Sequence, residues 1–141
     1  MMFTNTTAID VQFGDCDPAG IVYYPTYFRY CDNATVALFA TALARPKRDW
    51  LAAHGAAGIP MVDTGARFLA PSTYGDRLDI RSEVTELGRS SFSILHTFGK
   101  DGRTTVEARE KRVWVVRDAA GNIRSAPFPD AVRRALGGEL P

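Results

Sequence analysis

Two carboxylates near the start of the chain stand just before a long helical pattern. Asp15 and Asp17 flank Cys16 in the segment FGDCDPAGIVYYP, which runs from Phe13 to Pro25. A carboxylate in such a loop can act as a nucleophile or as a general base. The first N–H groups of a helix have no partner within the helix, and the helix dipole adds partial positive charge there. Together these two features could attack a carbonyl carbon and stabilise the negative charge that develops on its oxygen.

The other reactive residue types in the chain have simpler interpretations. Cys16 could be a nucleophile with His54 or His96 as its base, but neither histidine has a recognisable local signature. A single cysteine is more often a small buried hydrophobe, so we regard Cys16 as a bystander. Asp15 is expected to be structural, because aspartate in a Gly-rich loop often bonds nearby backbone. His96 alternates with apolar residues and is expected to be a core or interface histidine.

A strand before the loop and a helix after it must hold these groups in place. Thr6 to Phe13 alternates well enough to predict a strand. Pro25 is tolerated in the first helical turn, so we expect a helix from there to about Leu43, with Tyr24 as its N-cap residue. The helix is apolar over more than half of its circumference, so we expect other structure to wrap it. One apolar face has Tyr27, Cys31, Ala34 and Leu38, and the adjacent face has Phe28, Asp32, Val36 and Phe39.

The second half of the chain predicts a short helix and then an antiparallel meander. The short helix runs from Pro46 to His54, and a last one from Pro129 to Leu136. Asp101-Gly102 is a strong hairpin signal between two strand patterns. The predicted strands lie within Ile59–Leu69, Leu78–Leu87, Phe92–Phe98 and Thr105–Asp118. This order indicates an α+β fold in one domain, 1–141, in which a curved antiparallel sheet surrounds one long helix.

Composition narrows the class of protein and its partners. The chain has 141 residues, of which 45% are apolar and 23% charged, as in an ordinary globular domain. The net charge of +1 gives no overall attraction to nucleic acid or to an anionic membrane. The two cysteines have no metal-ligand spacing, so no metal site is expected. With no secretory signal and no long apolar run, we expect a cytoplasmic protein. Open sheet edges favour subunit pairing, so we expect a homodimer or homotetramer.

The segment from Phe13 to Asp32, FGDCDPAGIVYYPTYFRYCD, resembles a known family. It is similar to the hot-dog-fold acyl-CoA thioesterases, and within them to the 4-hydroxybenzoyl-CoA thioesterase type. The family pattern is an acid, a Pro/Ala-Gly turn, hydrophobic residues and a tyrosine that leads into the central helix. Asp17 to Pro25 match it closely, and the later strands fit the family's sheet, so the resemblance covers nearly the whole chain.

The resemblance implies hydrolysis of a coenzyme A thioester without a cofactor, coenzyme A being part of the substrate. Asp17 stands at the position of the catalytic carboxylate, which attacks the carbonyl carbon or activates water. The backbone N–H of Tyr24 stands where the thioester oxygen is bound. Asp32 is at the position that receives the phenol in the 4-hydroxybenzoyl type. From the residues alone, Asp32 could instead pair with Arg29 on the same helix. The acyl pocket is expected against the central helix, close to a subunit interface, with Gly20, Ile21 and Phe28 among its residues.

The phosphates of coenzyme A require cations near the pocket mouth. Arg89, Ser90 and Ser91, in the turn after the strand Leu78–Leu87, are the candidates, although this turn has a sparser basic cluster than the family pattern. Four other basic residues are alternatives, or else solvated charges on strands. They are Lys111, Arg112, Arg117 and Arg124.

Three rival functions stay open at this point. The substrate could be an aliphatic or another aryl acyl-CoA, in which case Asp32 is structural. Hot-dog dehydratases and hydratases use a histidine at the helix entry, and none stands between Phe13 and Asp32. A non-catalytic acyl-CoA-binding module would bind the same ligand without turnover.

Overall fold

One long helix lies across a five-stranded sheet. A computed structural model of the chain describes residues 2–140. The elements in chain order are β1 (Thr4–Asp10), a 3-10 turn (Phe13–Asp15), α1 (Tyr24–Leu43), α2 (Lys47–Ala53), β2 (Met61–Phe68), β3 (Arg77–Leu87), β4 (Ser91–Lys100), β5 (Arg103–Val113), β6 (Val115–Arg117), β7 (Ile123–Ser125) and α3 (Asp130–Ala135). The α+β class is therefore confirmed, and so is the predicted order of elements from β1 to β5. The predicted meander holds only for β3, β4 and β5, because β2 pairs with β5 and not with β3.

The sheet is antiparallel throughout, with strand order β1-β3-β4-β5-β2. The β4–β5 hairpin turns at Asp101 and Gly102, whose φ values of 51° and 78° are both left-handed. This is the backbone of the two-residue turn that an Asp-Gly pair favours, so the predicted hairpin is confirmed. Both outer strands, β1 and β2, leave an unpaired edge in the single chain.

The predicted first strand, Thr6 to Phe13, is displaced along the chain. The observed strand ends at Asp10, because Val11 donates its N–H to the Asp76 carbonyl and the chain then enters the 3-10 turn. The alternation of apolar residues continued through Phe13, but Phe13 is exposed in the loop.

The predicted strand Thr105–Asp118 is wrong as a single element. It breaks at Trp114, whose N–H donates to the Ser90 carbonyl at 2.7 Å and whose carbonyl accepts from Ala126 N–H at 3.1 Å. The Trp114 side chain is buried in the core. Beyond it, β6 pairs with β7 in a separate two-stranded sheet that the sequence pattern did not predict.

The helix α1 is covered on one side only. The face with Tyr27, Cys31, Ala34 and Leu38 is fully buried, as predicted. The adjacent face is not: Phe39 is buried, but Asp32 is exposed and Phe28 and Val36 are half-buried. In the single chain the sheet therefore covers one face of the helix, and the adjacent face is left partly exposed.

Two apolar clusters divide the core along α1. The first underlies the loop between β1 and α1 and includes Val11, Val22, Tyr27, Tyr30, Leu78 and Phe98. The second lies under the C-terminal half of α1, where the ring of Trp50 stacks between those of Phe39 (5.1 Å) and Trp114 (5.8 Å). The loop that contains Asp15 and Asp17 is therefore packed against the first cluster.

Within residues 2–140, no helix is both long enough and apolar enough to cross a membrane.

Candidate active site

The loop that follows β1 is a small hairpin that leads directly into α1. Tyr23 donates its N–H to the Asp15 carbonyl at 2.8 Å, and Asp17 donates its N–H to the Ile21 carbonyl at 2.9 Å. The tip is closed by Gly20 N–H, which donates to the Asp17 carbonyl at 2.9 Å. Gly20 has φ 81°, a conformation that glycine adopts without steric cost. The sequence Asp-Pro-Ala-Gly therefore builds a tight tip, and the second arm of the hairpin runs from Ile21, opposite Asp17, directly into α1.

Asp17 is held in position by its own turn. Its Oδ1 accepts a hydrogen bond from Ala19 N–H at 2.9 Å, the arrangement by which aspartate stabilises a tight turn. The side chain is only partly exposed. Within residues 2–140, Oδ2 has no hydrogen-bond partner. One oxygen thus orients the carboxylate, and the other is available to a ligand or to water.

Tyr24 is the first residue of α1, and Tyr23 is its N-cap residue, so the predicted assignment of Tyr24 as N-cap is wrong by one position. The helix begins earlier because proline is accommodated at the second helical position as well as the first. Pro25 has no N–H, and Thr26 donates its N–H to the Tyr23 carbonyl at 2.8 Å. In the described part of the chain, Tyr24 N–H is left without an acceptor at the positive end of the helix dipole. It can therefore stabilise negative charge on a bound oxygen.

An apolar groove of about 400 Å³ opens beside Tyr24. Its residues are Ile21, Val22, Tyr24, Tyr27, Phe68, Leu69, Ala70 and Pro71. The Phe68 ring contacts those of Tyr24 and Tyr27, at centroid distances of 6.4 and 5.6 Å. Of the predicted pocket residues, Ile21 lines this groove, whereas Gly20 and Phe28 do not. No feature of the sequence pointed to Phe68–Pro71, because nothing local distinguishes the end of β2 from an ordinary strand end.

Asp15 is a buried structural carboxylate, as predicted. Its Oδ2 accepts hydrogen bonds from Gln12 N–H at 2.9 Å and from the Tyr30 hydroxyl at 2.7 Å. Arg29 forms an ion pair with Oδ1. Burial raises the pKa of Asp15, but the hydrogen bonds from Tyr30, Gln12 and Arg29 outweigh it and hold that pKa below its ordinary value. Burial, and then the hydrogen bond to Asp15, raise the pKa of Tyr30 above its ordinary value.

Asp32 pairs with Arg112 of β5 and not with Arg29, so the predicted pairing within the helix is wrong. Arg112 Nη2 donates to Asp32 Oδ1 at 2.9 Å, and the Asp32 side chain is 55% exposed. Arg29 precedes Asp32 by three residues on the same helix, but the Arg29 side chain turns toward Asp15. Asp32 follows Tyr24 by eight residues and so lies about 12 Å further along the helix axis.

Arg112 belongs to a buried polar network, so the interpretation of it as a solvated strand charge or a phosphate contact is wrong. Its Nε and Nη2 donate to the two oxygens of Glu110, at 3.2 and 2.8 Å, and its Nη1 to the Ile59 carbonyl at 3.1 Å. Both side chains are almost fully buried. Burial raises the pKa of Glu110, but hydrogen bonds from His96 and Arg112 lower it below its ordinary value.

His96 is a fully buried core histidine, as predicted. Its Nε2 lies 3.1 Å from both Glu110 Oε1 and the Thr35 hydroxyl, and its Nδ1 lies 2.8 Å from the Ser82 hydroxyl. The Thr35 hydroxyl also donates to Glu110. A chain of hydrogen bonds therefore crosses the core from β3 to Asp32 on the surface of α1. No local signal in the sequence identified Glu110 or Thr35 as its members.

The family model of the thioesterase-like superfamily matches residues 11–136 of this chain. The chain belongs to the thioesterase-like superfamily. It is 36% identical over 113 residues to the 4-hydroxybenzoyl-CoA thioesterase of Pseudomonas sp. (strain CBS-3), an alignment that covers 77% of this chain and 80% of that relative.

Solved structures of thioesterase-like proteins confirm the hot-dog fold. A 4-hydroxybenzoyl CoA thioesterase mutant complexed with 4-hydroxybenzoyl CoA superimposes with a TM-score of 0.87 at 30% identity, covering 95% of this chain and 99% of that one. A gentisyl-coenzyme A thioesterase superimposes with a TM-score of 0.82 at 33% identity, covering 94% and 100%. The predicted family and the predicted fold are therefore both confirmed.

In this thioesterase-like chain, the turn with Arg89, Ser90 and Ser91 lies far from the hairpin. Arg77, at the start of β3, pairs with Asp10 just before the hairpin, whereas Arg89 follows the other end of that strand. Eleven residues of strand separate the two ends by about 35 Å. A single chain therefore does not bring Asp17 and this turn together.

The turn is built together with the C-terminal segment. Phe128 donates its N–H to the Arg89 carbonyl at 3.1 Å, and the Arg133 guanidinium donates to the Gly88 carbonyl. Arg89 and Arg133 line one groove with Phe128 and Leu140. The structure thus adds a second cation, from α3, to a turn where the sequence shows only one.

Proposed function

We propose that this thioesterase-like chain hydrolyses aromatic acyl-CoA thioesters, with Asp17 as the reacting carboxylate and Tyr24 N–H as the oxyanion donor. The observation that carries the proposal is the hairpin. At Asp17 it has a carboxylate with a free oxygen, in a residue whose N–H bonds the carbonyl of the groove residue Ile21. At Tyr24, which lines the same apolar groove, it has a free helix N–H. Attack on a carbonyl carbon needs a nucleophile or base and an oxyanion donor acting on one group of the substrate.

The proposed reaction begins when the thioester oxygen accepts a hydrogen bond from Tyr24 N–H. Asp17 Oδ2 then attacks the carbonyl carbon, the C–S bond breaks, and coenzyme A leaves as a thiolate that takes a proton from water. Water hydrolyses the resulting anhydride and restores the Asp17 carboxylate. In the alternative, the carboxylate takes a proton from a water molecule that attacks the same carbon. Both routes give the free acid and coenzyme A.

The composition of the groove favours an aromatic acyl group. Aromatic side chains line it at Tyr24, Tyr27 and Phe68, with ring contacts that leave an apolar surface for another ring. Two of the relatives described above are named for hydroxylated benzoyl thioesters, 4-hydroxybenzoyl-CoA and gentisyl-CoA. The aliphatic alternative would use the same apolar surface without ring stacking.

The role of Asp32 in binding a phenol then requires a second copy of the chain. Asp32 does not line the groove beside Tyr24, and its Oδ1 is held by Arg112, which faces Met61 at the opposite end of β2 from Phe68. A ring bound in that groove therefore lies away from Asp32 of its own chain. Asp32 of a second copy could meet it, with Oδ1 fixed by Arg112 and the other oxygen facing the ligand.

A second copy would also supply the contacts to coenzyme A. Arg89, Ser90 and Ser91 cannot reach the hairpin of their own chain, and we propose that they act with Arg133 across an interface. The edge strand β2 favours such an interface, since its residues are almost all exposed. An unpaired edge of this kind is a template for pairing with another strand. We therefore expect a homodimer or a homotetramer.

Thiol release from acyl-CoA esters tests the proposed function. Asp17→Asn keeps the size of the side chain and removes its charge, and we expect kcat on the best substrate to fall by roughly 10²–10⁴-fold. Asp79→Asn is the matched control, because Asp79 is an exposed carboxylate on β3. If Asp17→Asn retains the wild-type kcat, the assignment of Asp17 is wrong. Tight binding of acyl-CoA by the wild type without turnover would instead favour the non-catalytic module.

Comparing substrates tests the role of Asp32. We expect Asp32→Ala to lower kcat/KM for 4-hydroxybenzoyl-CoA while leaving benzoyl-CoA almost unchanged, because only the first substrate carries a phenol. An equal loss on both substrates would mean that Asp32 is structural.

A further inference from the structure

Asp15 is a buried carboxylate that the proposed reaction does not use. It is 6% exposed, although a carboxylate is costly to bury unless its oxygens are hydrogen-bonded. Three groups donate to it: Gln12 N–H, the Tyr30 hydroxyl and the Arg29 guanidinium. Gln12 follows β1, whereas Arg29 and Tyr30 lie in the second turn of α1. The carboxylate therefore ties the end of the first strand to the body of the helix.

The backbone carbonyl of Asp15 also connects the loop after β1 to the start of α1. Its carbonyl accepts hydrogen bonds from Tyr23 N–H at 2.8 Å and from the Thr26 hydroxyl at 3.4 Å. Asp17 follows Asp15 by two residues, and Tyr24 follows Tyr23 by one. Both groups assigned to the chemistry thus lie next to the atoms that Asp15 holds.

The donors to Asp15 are themselves anchored. The Tyr30 ring packs against the rings of Tyr27 and Phe98 in the first core cluster, at centroid distances of 5.9 and 6.3 Å. The Arg29 guanidinium lies 5.6 Å from the centre of the Tyr30 ring. Hydrogen bonds to an ionised carboxylate are stronger than those between neutral groups, so this connection is stiffer than a neutral one.

We propose that Asp15 is a positioning residue for hydrolysis. Its carboxylate fixes the separation between the Asp17 carboxylate and Tyr24 N–H, and it takes no part in proton transfer or in attack on the substrate. The proposal rests on the roles of Asp17 and Tyr24 set out above. Misplacing a reacting group by about 1 Å can cost roughly 10²-fold in rate, so a rigid connection between the two groups has a direct kinetic value.

Asp15→Asn tests the proposal. The amide has one oxygen in place of two, so it cannot accept from Tyr30 and Gln12 on one side and from Arg29 on the other. We expect kcat to fall by about 10- to 100-fold, while KM changes by less than about threefold because the groove is intact. Tyr30→Phe removes one of the donors without a change of charge, and a loss of about 3- to 10-fold in kcat is expected. If Asp15→Asn does not fold, Tyr30→Phe still carries the test.

A double-mutant cycle with Asp17→Asn separates positioning from a general structural effect. Asp15→Asn should lower the rate in the presence of Asp17 and have little further effect on the residual rate of Asp17→Asn, because there is then no carboxylate to position. A loss of folded protein would multiply both rates equally. The matched control is Asp118→Asn, since Asp118 accepts two backbone N–H groups and an Arg124 hydrogen bond in the β6–β7 turn, away from the hairpin. That variant should keep the wild-type kcat.

Three results would overturn the proposal. The first is an unchanged kcat in both Asp15→Asn and Tyr30→Phe while Asp17→Asn is inactive, which leaves the proposed function standing without the positioning role. The second is an equal rate loss with and without the Asp17 carboxylate. The third is full activity of Asp17→Asn, in which case the proposed function fails and the positioning role fails with it.

Discussion

Replacing Arg112 with methionine tests whether the buried network holds the fold together. Methionine keeps much of the length and the apolar stem of arginine but removes the guanidinium. Glu110 then loses two charge-assisted hydrogen bonds, and Asp32 loses its only ion pair among residues 2–140. Asp32 is solvated and can exchange its partner for water, whereas Glu110 cannot.

The expected loss of stability follows from the buried Glu110 charge that the substitution leaves without its arginine partner. Removing one partner of a buried ion pair costs about 3–5 kcal/mol, because the other charge stays in the core without compensation. Glu110 keeps its contacts with His96 and Thr35, so the lower half of that range is expected. For a domain of this length, about 3 kcal/mol lowers the melting temperature by roughly 10 °C.

The pH dependence of the Glu110 contribution to folding stability should change sign in Arg112→Met. In the wild type the folded-state pKa of Glu110 lies below its unfolded value, so its contribution to stability is present above the unfolded pKa of about 4.3 and is lost as pH falls through the folded pKa. In Arg112→Met, burial is opposed by fewer hydrogen bonds, which raises the folded pKa of Glu110. If it rises above the unfolded value, folding takes up a proton and the variant loses stability as pH rises above about 4.3.

Urea unfolding at pH 5 and pH 8 measures both effects. The gap between wild type and Arg112→Met should be larger at pH 8. Glu110→Gln combined with Arg112→Met should recover part of the loss, because it removes the stranded charge. Arg77→Met is the matched control: Arg77 forms an exposed pair with Asp10, and less than about 1 kcal/mol should be lost. If Arg112→Met unfolds within about 1 kcal/mol of wild type at pH 8, the reasoning about the buried pair is refuted.

Three further predictions concern local features. Gly20→Ala places a side chain at φ 81° and should cost about 1–2 kcal/mol in urea unfolding, with a lower kcat because the hairpin tip carries Asp17; unchanged kinetics would contradict this. Asp101→Gly relieves a left-handed residue in the β4–β5 turn and should shift the free energy of unfolding by less than about 1 kcal/mol without any change in kcat. Leu38→Ala should cost about 2–5 kcal/mol in urea unfolding, because Leu38 is fully buried between α1 and the sheet, and a loss below 1 kcal/mol would mean that the core closes around the gap.

Local sequence was enough to predict the turn and the helix start in the segment where the reaction is proposed. The Asp-Pro-Ala-Gly turn and Pro25 act over a few residues, and their conformational preferences are intrinsic, so the turn and the approximate start of α1 follow from short-range rules. The hairpin that joins them was seen only in the structure. The boundary still moved by one residue, from Pro25 to Tyr24, because proline is accommodated at both of the first two helical positions. The proposed catalytic role of Asp17 came from the family resemblance, since an aspartate in a turn is by itself an ordinary structural residue.

Pairings between distant segments were the part that local rules could not supply. Arg29 lies three residues from Asp32 on one helix, yet it binds Asp15, while Asp32 binds an arginine 80 residues away. The spacing along the helix permits a pair between Arg29 and Asp32, and it contains no information about a partner on a distant strand. What decided between them was the placement of β5 beside α1, which brings Arg112 within 2.9 Å of Asp32.

The sequence by itself determined the order of elements from β1 to β5, the buried apolar face of α1 and the segment from Asp15 to Tyr24 in which the chemistry is proposed. Each of these depends on a period or a turn preference that acts within a few residues. Only the tertiary structure decided that Phe68 to Pro71 close the groove, that Glu110 is buried with Arg112, and that Arg89 lies at the far end of β3 from the hairpin. Those outcomes depend on which strands become neighbours and in which register, and register is fixed by the packing of the whole sheet against the helix.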